Sequence, residues 1–336
     1  MNILHKTCVK QFARYAETAT TITTASKYLA EPLTKRALVR IQGAEVVPFL
    51  QGLITNDMNH LHVDGNPSMY TMFLNNAGRV LYDSIVYRTP EADSFIIECD
   101  RDVSNELRKH LRLFRVRRKI NIDCVNEELT PWIVFNPIQN GDVPKPNDKK
   151  PDKVLSTPDP RLKELGVRII LPAGSEGKDI EKMFPSSITI EQSTSSQYNT
   201  HRYVHGVGEG IIDHPPGKCF PLEANCDFLH GVSFQKGCYV GQELTARVYH
   251  TGVIRKRLMP LKLTNVPEAD VTSVQTSDGA SVGTIRGVIE KQALALLRVE
   301  QVLKAKELVV NGQPCETFKP NWWPKDLPSR PSLRKD

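Results

Sequence analysis

Cys238 stands in the run Lys236-Gly237-Cys238-Tyr239-Val240-Gly241-Gln242-Glu243, a thiol between two glycines with Arg247 a little further on. Gly237 and Gly241 permit tight turning and close approach of a ligand or partner to the backbone. Lys236 and Arg247 place positive charge within reach of the sulfur, and a helix beginning in Tyr239–Ala246 would aim its N-terminal end the same way. Both favour thiolate, the form that ligates metal or attacks electrophiles. A free cysteine is as commonly a small buried hydrophobe, so residue types alone leave Cys238 open between the two. An iron–sulfur centre normally takes four protein ligands. Cys219 and Cys226 lack compact ligand spacing relative to Cys238, Cys99, Cys124 and Cys315 read as strand or core residues, and His201, His205, His214 and His230 are scattered. If Cys238 held such a centre, a second protein would have to supply the remaining ligands.

The elements that must position this run are legible in outline. The chain has 336 residues, 40% hydrophobic and 24% charged, which predicts a folded chain of two or three units. No stretch is long and apolar enough for a conventional membrane-spanning helix. Seven cysteines, an odd number without regular spacing, do not form a secreted disulfide framework. The net charge of +6 suggests nucleic-acid binding until it is located: Lys6, Lys10, Arg14 and Lys27 against Glu17 carry +3 of it. Residues 1–27, rich in Thr and Ala, acid-poor, with Ile3, Leu4, Val9, Phe12 and Ala13 opposite the basic residues, have the pattern of a mitochondrial presequence. Ala37–Gln42 alternates as a strand, and Met69–Leu74 and Val80–Tyr87 flank an Asn-Asn-Ala-Gly turn, predicting a β-hairpin. Val103–Phe114 has helical spacing and ends in the basic cluster Arg115, Arg117, Arg118, Lys119, read as a solvated edge. Proline-rich 140–161 is expected to be an exposed loop. After Gly252, Arg255–Leu263, Ser281–Ile289 and Ala293–Leu297 are short strands, as in a small β-barrel. Basic, Pro-rich 319–336 is expected to be a tail anchored by Trp322 and Trp323.

Lys-Gly-Cys-Tyr-x-Gly-Gln-Glu at 236–243 resembles the signature of the YgfZ family, which includes mitochondrial iron–sulfur cluster assembly factors and belongs to the superfamily of GcvT, the folate-dependent aminomethyltransferase. Phe49-Leu50-Gln51-Gly52-Leu53-Ile54-Thr55-Asn56-Asp57 resembles the superfamily's early motif. Asn76-Ala77-Gly78-Arg79-Val80-Leu81-Tyr82-Asp83 resembles its central hairpin, and Asp159-Pro160-Arg161-Leu162 with Leu165-Gly166 is similar to YgfZ-type sequences. The likeness runs from about Leu38 to about Leu297. It implies an α+β fold: folate-binding-type domains on mixed sheets over 28–250, then a C-terminal β-barrel over 251–318. It also implies a role in maturing [4Fe–4S] clusters in the mitochondrial matrix, with A-type carriers as partners and aconitase and lipoate synthase as clients. The expected ligand is a transient cluster shared through Cys238, with Lys236, Gly237, Tyr239, Gly241, Gln242, Glu243 and Arg247 shaping its surroundings.

Two alternatives stand beside this reading. The first is a folate-dependent aminomethyl transferase using Asp83 and tetrahydrofolate. Related transferases carry an Asp-Asp pair in the hairpin, where this chain has Tyr82-Asp83. Their pterin-reading glutamate has no equivalent around Leu165–Leu171, leaving Glu223 or Glu209 as substitutes. A pterin's paired N–H donors need such a carboxylate, because an unmatched buried donor costs about 1–3 kcal/mol. The second is an RNA-associated protein using the basic junction at 115–119 and the basic tail; the distribution of charge argues against stable nucleic-acid binding.

Overall fold

The computed structural model describes residues 27–62, 66–138, 141–147, 154–193, 196–267 and 272–326. Two five-stranded sheets and a closed barrel make up the molecule. In the first sheet the order is β3-β4-β5-β2-β6, with β2 Arg36–Gln42, β3 Ser68–Leu74, β4 Val80–Arg88, β5 Ser94–Asp100 and β6 Asn121–Cys124. Every residue of β3 is buried, and the two-residue period explains how. Tyr70, Met72 and Leu74 face a central core shared with the second sheet. Met69 and Phe73 face a core closed by α1 (Val46–Gln51), α2 (Asn59–His62) and α3 (Ser104–Arg115). A sheet covered on both faces reads as a continuous apolar run rather than an alternating one.

The second sheet runs β10-β1-β7-β9-β8. Its strands are β1 Lys27–Pro32, β7 Leu129–Phe135, β8 Leu155–Pro158, β9 Val167–Pro172 and β10 Thr189–Gln192. The β1–β10 pair is parallel and the other pairs antiparallel. Helices α4 (Gly177–Glu181), α5 (Gln197–His205) and α6 (Gly210–Asp213) follow, and α7 (Gln242–Thr251) leads to the barrel. The barrel closes as β11-β14-β13-β12-β15-β16: β11 Lys256–Leu263, β12 Ser273–Thr276, β13 Ser281–Ile289, β14 Gln292–Arg298, β15 Leu308–Val310 and β16 Gln313–Thr317, with α8 (Val299–Lys304) over one end. Met259, Leu261 and Leu263 fill the barrel, while Leu258 points outward into the central core.

One expectation is corrected. The stretch 140–161 is not one exposed loop, since it contains β8, and Asp159 and Arg161 within it are buried. Its prolines misled because β8 is an edge strand, where a missing N–H costs no ladder hydrogen bond. The start of the C-terminal tail is anchored by its tryptophans as expected: Trp323 is buried in the barrel core, and Trp322 Nε1 donates to His205 O at 2.8 Å. Residues 327–336 lie outside the described residues, as do 1–26 of the expected presequence. Lys27 already opens β1, pairing with Thr189.

Candidate functional site

The three motifs widely separated in sequence meet at the Cys238 loop. Isolated bridge pairing of Ile54 with Phe73 ties the early motif to the hairpin. Thr55 Oγ1 donates to Gly231 O at 2.6 Å, Ser233 N donates to Thr55 O at 3.0 Å, and Asn56 Nδ2 donates to His230 O at 2.8 Å. Val240 N then donates to Gly52 O at 3.0 Å. Gly241 completes the clamp at φ +78°; a Cβ there would stand 2.3 Å from Asn75 O. Opposite it, Gly78 at φ +72° would bring a Cβ to 3.0 Å from Gly241 O. Two glycines in left-handed geometry thus let the hairpin turn and the Cys loop touch backbone to backbone.

Between these anchors Cys238 is exposed. Nothing lies within 4 Å of where a Gly237 Cβ would be, so the approach to the sulfur from that side is open. Gln242 positions the loop as expected, its Oε1 accepting from Tyr239 N at 3.1 Å. The expected charge cluster is not found in that form. Lys236 turns inward, its Nζ donating to Ile54 O and Asn56 O at 2.7 Å each and lying 4.9 Å from the Tyr239 ring centroid. Burial lowers its pKa to about 8, against the pull of Asp57. It works as a staple rather than as the sulfur's counter-charge. Arg247 and Glu243, both exposed, pair at 3.9 Å along α7. That helix opens at Gln242, so Tyr239 and Val240 separate Cys238 from its N-cap Gly241. Beside the loop, Phe234 stacks on exposed Tyr249 at 3.5 Å between centroids.

Other candidate ligands are withdrawn from use. Burial raises the thiols of Cys99 and Cys219 to about 12, that of Cys315 to about 11, and that of Cys226 well above its ordinary value. Cys124 is exposed but sits in β6. His201 and His205 are buried, each lowered to about 4 chiefly by burial, and His201 Nε2 is 2.9 Å from Glu164 O. His214 is buried and lowered as well, whereas His230 is exposed and contributes its carbonyl to Asn56. Among the described residues no group of three His, Cys, Asp or Glu could hold a metal ion.

Sequence reasoning missed the largest polar feature, a buried ion network between the sheets and α5. Arg168 bonds Glu98 and Glu209 and donates through Nε to Asp159 Oδ2 at 2.7 Å. Arg161 Nη2 donates to the same Asp159 oxygen at 2.8 Å and lies 2.8 Å from Glu209 Oε2. Arg36 Nε donates to Glu98 Oε1 at 2.8 Å, and Tyr87 OH to Glu98 Oε2 at 2.7 Å. Burial pushes Asp159 up, but Arg161 and Arg168 overcome it and hold the carboxyl at about 2. The overlooked signal was a charge inside an apolar strand: Arg36 in RALVRIQ, Glu98 in SFIIECD, Arg168 in VRIILP. Such a residue must find a partner when buried.

Asp83 belongs to this network. It accepts from Gly210 N at 3.0 Å and from Arg36 Nη1 at 3.4 Å. Tyr82 points to the opposite face, against Phe73 and His110. Glu223 lies elsewhere, lining a cleft of about 470 Å³ with Thr245, Val248, Lys256 and Arg298. Burial raises its carboxyl against Lys256, Arg286 and Arg79. The structure thus brings the Gly78, Gly52 and Cys238 segments together, places Asp83 in the buried network and places Glu223 in the cleft beside α7.

Comparison with known proteins agrees with this architecture. A family model described as the CAF17 C-terminal beta-barrel domain matches residues 255–325. The chain is 38% identical over 315 residues to iron-sulfur cluster assembly factor IBA57, mitochondrial, of Mus musculus, covering 87% of this chain and 84% of that protein. Identity to the Homo sapiens protein of the same name is 36% over 316 residues, with the same coverage. Glycine cleavage system aminomethyltransferase T from Bartonella henselae superposes with a TM-score of 0.69 over 89% of this chain and 87% of that one, at 15% identity. That last likeness is one of fold.

Proposed function

This chain belongs to the IBA57 family of iron-sulfur cluster assembly factors, and from that premise we propose that it helps assemble [4Fe–4S] clusters in the mitochondrial matrix by donating Cys238 to a cluster held jointly with an A-type carrier. The observation that carries the reading is an exposed thiol on a backbone-clamped loop with no companion ligands among the described residues. One thiolate cannot saturate a cluster, so the remaining ligands come from the partner and the cluster is cargo. Lys236, Gly241 and Gln242 hold the loop; Gly237 leaves the sulfur approachable; Phe234 and Tyr249 offer an aromatic contact beside it. Aconitase and lipoate synthase are the clients this reading expects.

The buried groups fit tetrahydrofolate poorly. Asp83, Glu98, Asp159 and Glu209 each already accept from guanidinium groups, so a pterin would have to displace a guanidinium to reach any of these four carboxylates. No step is assigned to folate, and no aminomethyl-transfer turnover is expected. The test is anaerobic reconstitution of the mature protein with an A-type carrier, separately and together. A cluster spectrum with the mass of a one-to-one complex, seen only in the mixture, supports the reading. A cluster held by either protein alone at full occupancy with no complex refutes it, and aminomethyl transfer abolished by Asp83→Asn would favour the transferase.

A further inference from the structure

The end of α3 presents an arrangement that cluster assembly does not use. Residues 108–119 contain seven Lys and Arg and no Asp or Glu, more positive charge than the whole chain nets. The inner face of the helix is committed, with Leu107 and Leu111 buried and Phe114 packed against the same core. Lys109, Arg112, Leu113 and Val116 follow at the spacing that shares one helical face, and that face is outward. Leu113 is 75% exposed and Val116 76%, the two most exposed large apolar residues described.

Val116 is held out by its backbone. Its φ is +52°, a region that a β-branched residue rarely adopts. Helices usually end there with Gly or Asn. Here the turn is pinned instead: Arg118 N donates to Arg115 O at 3.0 Å, Ile120 N to Arg118 O at 3.0 Å, and Arg115 Nη1 to Ile120 O at 2.9 Å. Around this aliphatic tip Lys109, Arg112, Arg117 and Lys119 form no salt bridge among the described residues; Glu45 approaches Arg118, at 4.0 Å.

We propose that this tip is a docking surface for an anionic phospholipid bilayer, with Leu113 and Val116 entering the headgroup boundary and the surrounding cations meeting lipid phosphates. The chemistry is that of interfacial binding, apolar area plus electrostatic attraction. No described helix is long and apolar enough to cross a membrane, so the contact is peripheral. RNA is disfavoured because the exposed tip is aliphatic, whereas single-stranded RNA is bound by stacking on exposed aromatic rings. An acidic protein is instead one of the outcomes that the test below separates from a bilayer.

The test is co-sedimentation of the full chain with vesicles of phosphatidylcholine alone and of phosphatidylcholine mixed equally with phosphatidylglycerol. Binding is expected to the anionic vesicles and to weaken with salt. Lys109→Glu with Arg117→Glu should weaken it by about tenfold or more, since each basic residue near such a surface contributes roughly fivefold. Leu113→Ser with Val116→Ser should weaken it by about tenfold or more through lost apolar burial. All four positions are exposed, and an unchanged unfolding midpoint checks that each variant folds; Val116→Gly replaces Val116→Ser if that midpoint falls. Equal binding to neutral vesicles, no vesicle binding by the wild type, or binding unchanged by the charge reversals overturns the proposal. So does salt-sensitive binding to RNA or polyglutamate, lost in the charge reversals, by a wild type that ignores vesicles.

Discussion

At the centre of the molecule Arg168 lies buried among Glu98, Asp159 and Glu209; at its rim Cys238 stands exposed on a loop held by carbonyl and amide contacts on either side. The two regions share a fold with an aminomethyltransferase but distribute their polar groups in opposite ways. In the centre, side-chain charges satisfy side-chain charges, so each carboxylate is engaged within the protein. Around the loop, backbone groups and one lysine do the holding, which leaves the sulfur uncommitted. Rigidity comes from charge pairing in one region and from close backbone packing in the other. Of the two, the second arrangement leaves a reactive side chain open to solvent.

Four experiments would break or sharpen that contrast. Cys238→Ser should reduce joint cluster formation with a carrier to background, because a hydroxyl is a poor ligand for iron beside a thiolate. Its melting temperature should stay at the wild-type value, as the residue is exposed; a variant that still bridges a cluster would make Cys238 merely structural. Arg168→Met acts on the other region. It strips Glu98, Asp159 and Glu209 of a common partner, and breaking a buried ion pair costs about 3–5 kcal/mol. Urea unfolding should show that loss, and a change within error of zero would mean that Arg36 and Arg161 suffice.

The same network sets a pH dependence. Asp159 is held at about 2, below its usual range, by Arg161 and Arg168. Stability linked to a depressed carboxyl is present above the unfolded pKa and lost as pH falls through the folded one. About 2 kcal/mol should therefore disappear between roughly pH 4 and pH 2. Asp159→Asn should flatten that part of the unfolding curve, and a slope identical to wild type would assign the acid sensitivity elsewhere. Gly241→Ala should lose about 1–2 kcal/mol for the left-handed backbone alone. Its effect on cluster sharing should exceed its effect on melting, because the clash with Asn75 O pushes the loop off the hairpin. Equal binding titrations for wild type and variant would show that the clamp is unnecessary.

Much of the molecule could be read from local pattern. The apolar runs Met69–Leu74 and Val80–Tyr87, with Asn75 and Gly78 between them, specified the hairpin. The strands after Gly252 specified a barrel, and residues 236–243 specified where the thiol sits that the structure leaves exposed. These features were legible because their physics is contained in a few consecutive residues: apolar runs, turn conformation, the presence of a thiol. Strand β8 was missed because proline is excluded from central strands but tolerated at an edge, and a single segment does not reveal which it will be. Lys236 was assigned to the wrong neighbour for a related reason. Its charge is a local property, but the carbonyls it meets lie 182 and 180 residues earlier in the chain. Arg168 likewise finds Glu98 and Glu209 at separations of 70 and 41 residues. Composition determined that these charges exist. Only the packing of two sheets and a barrel decided which became buried and paired, because desolvation and pairing depend on what surrounds a side chain in space.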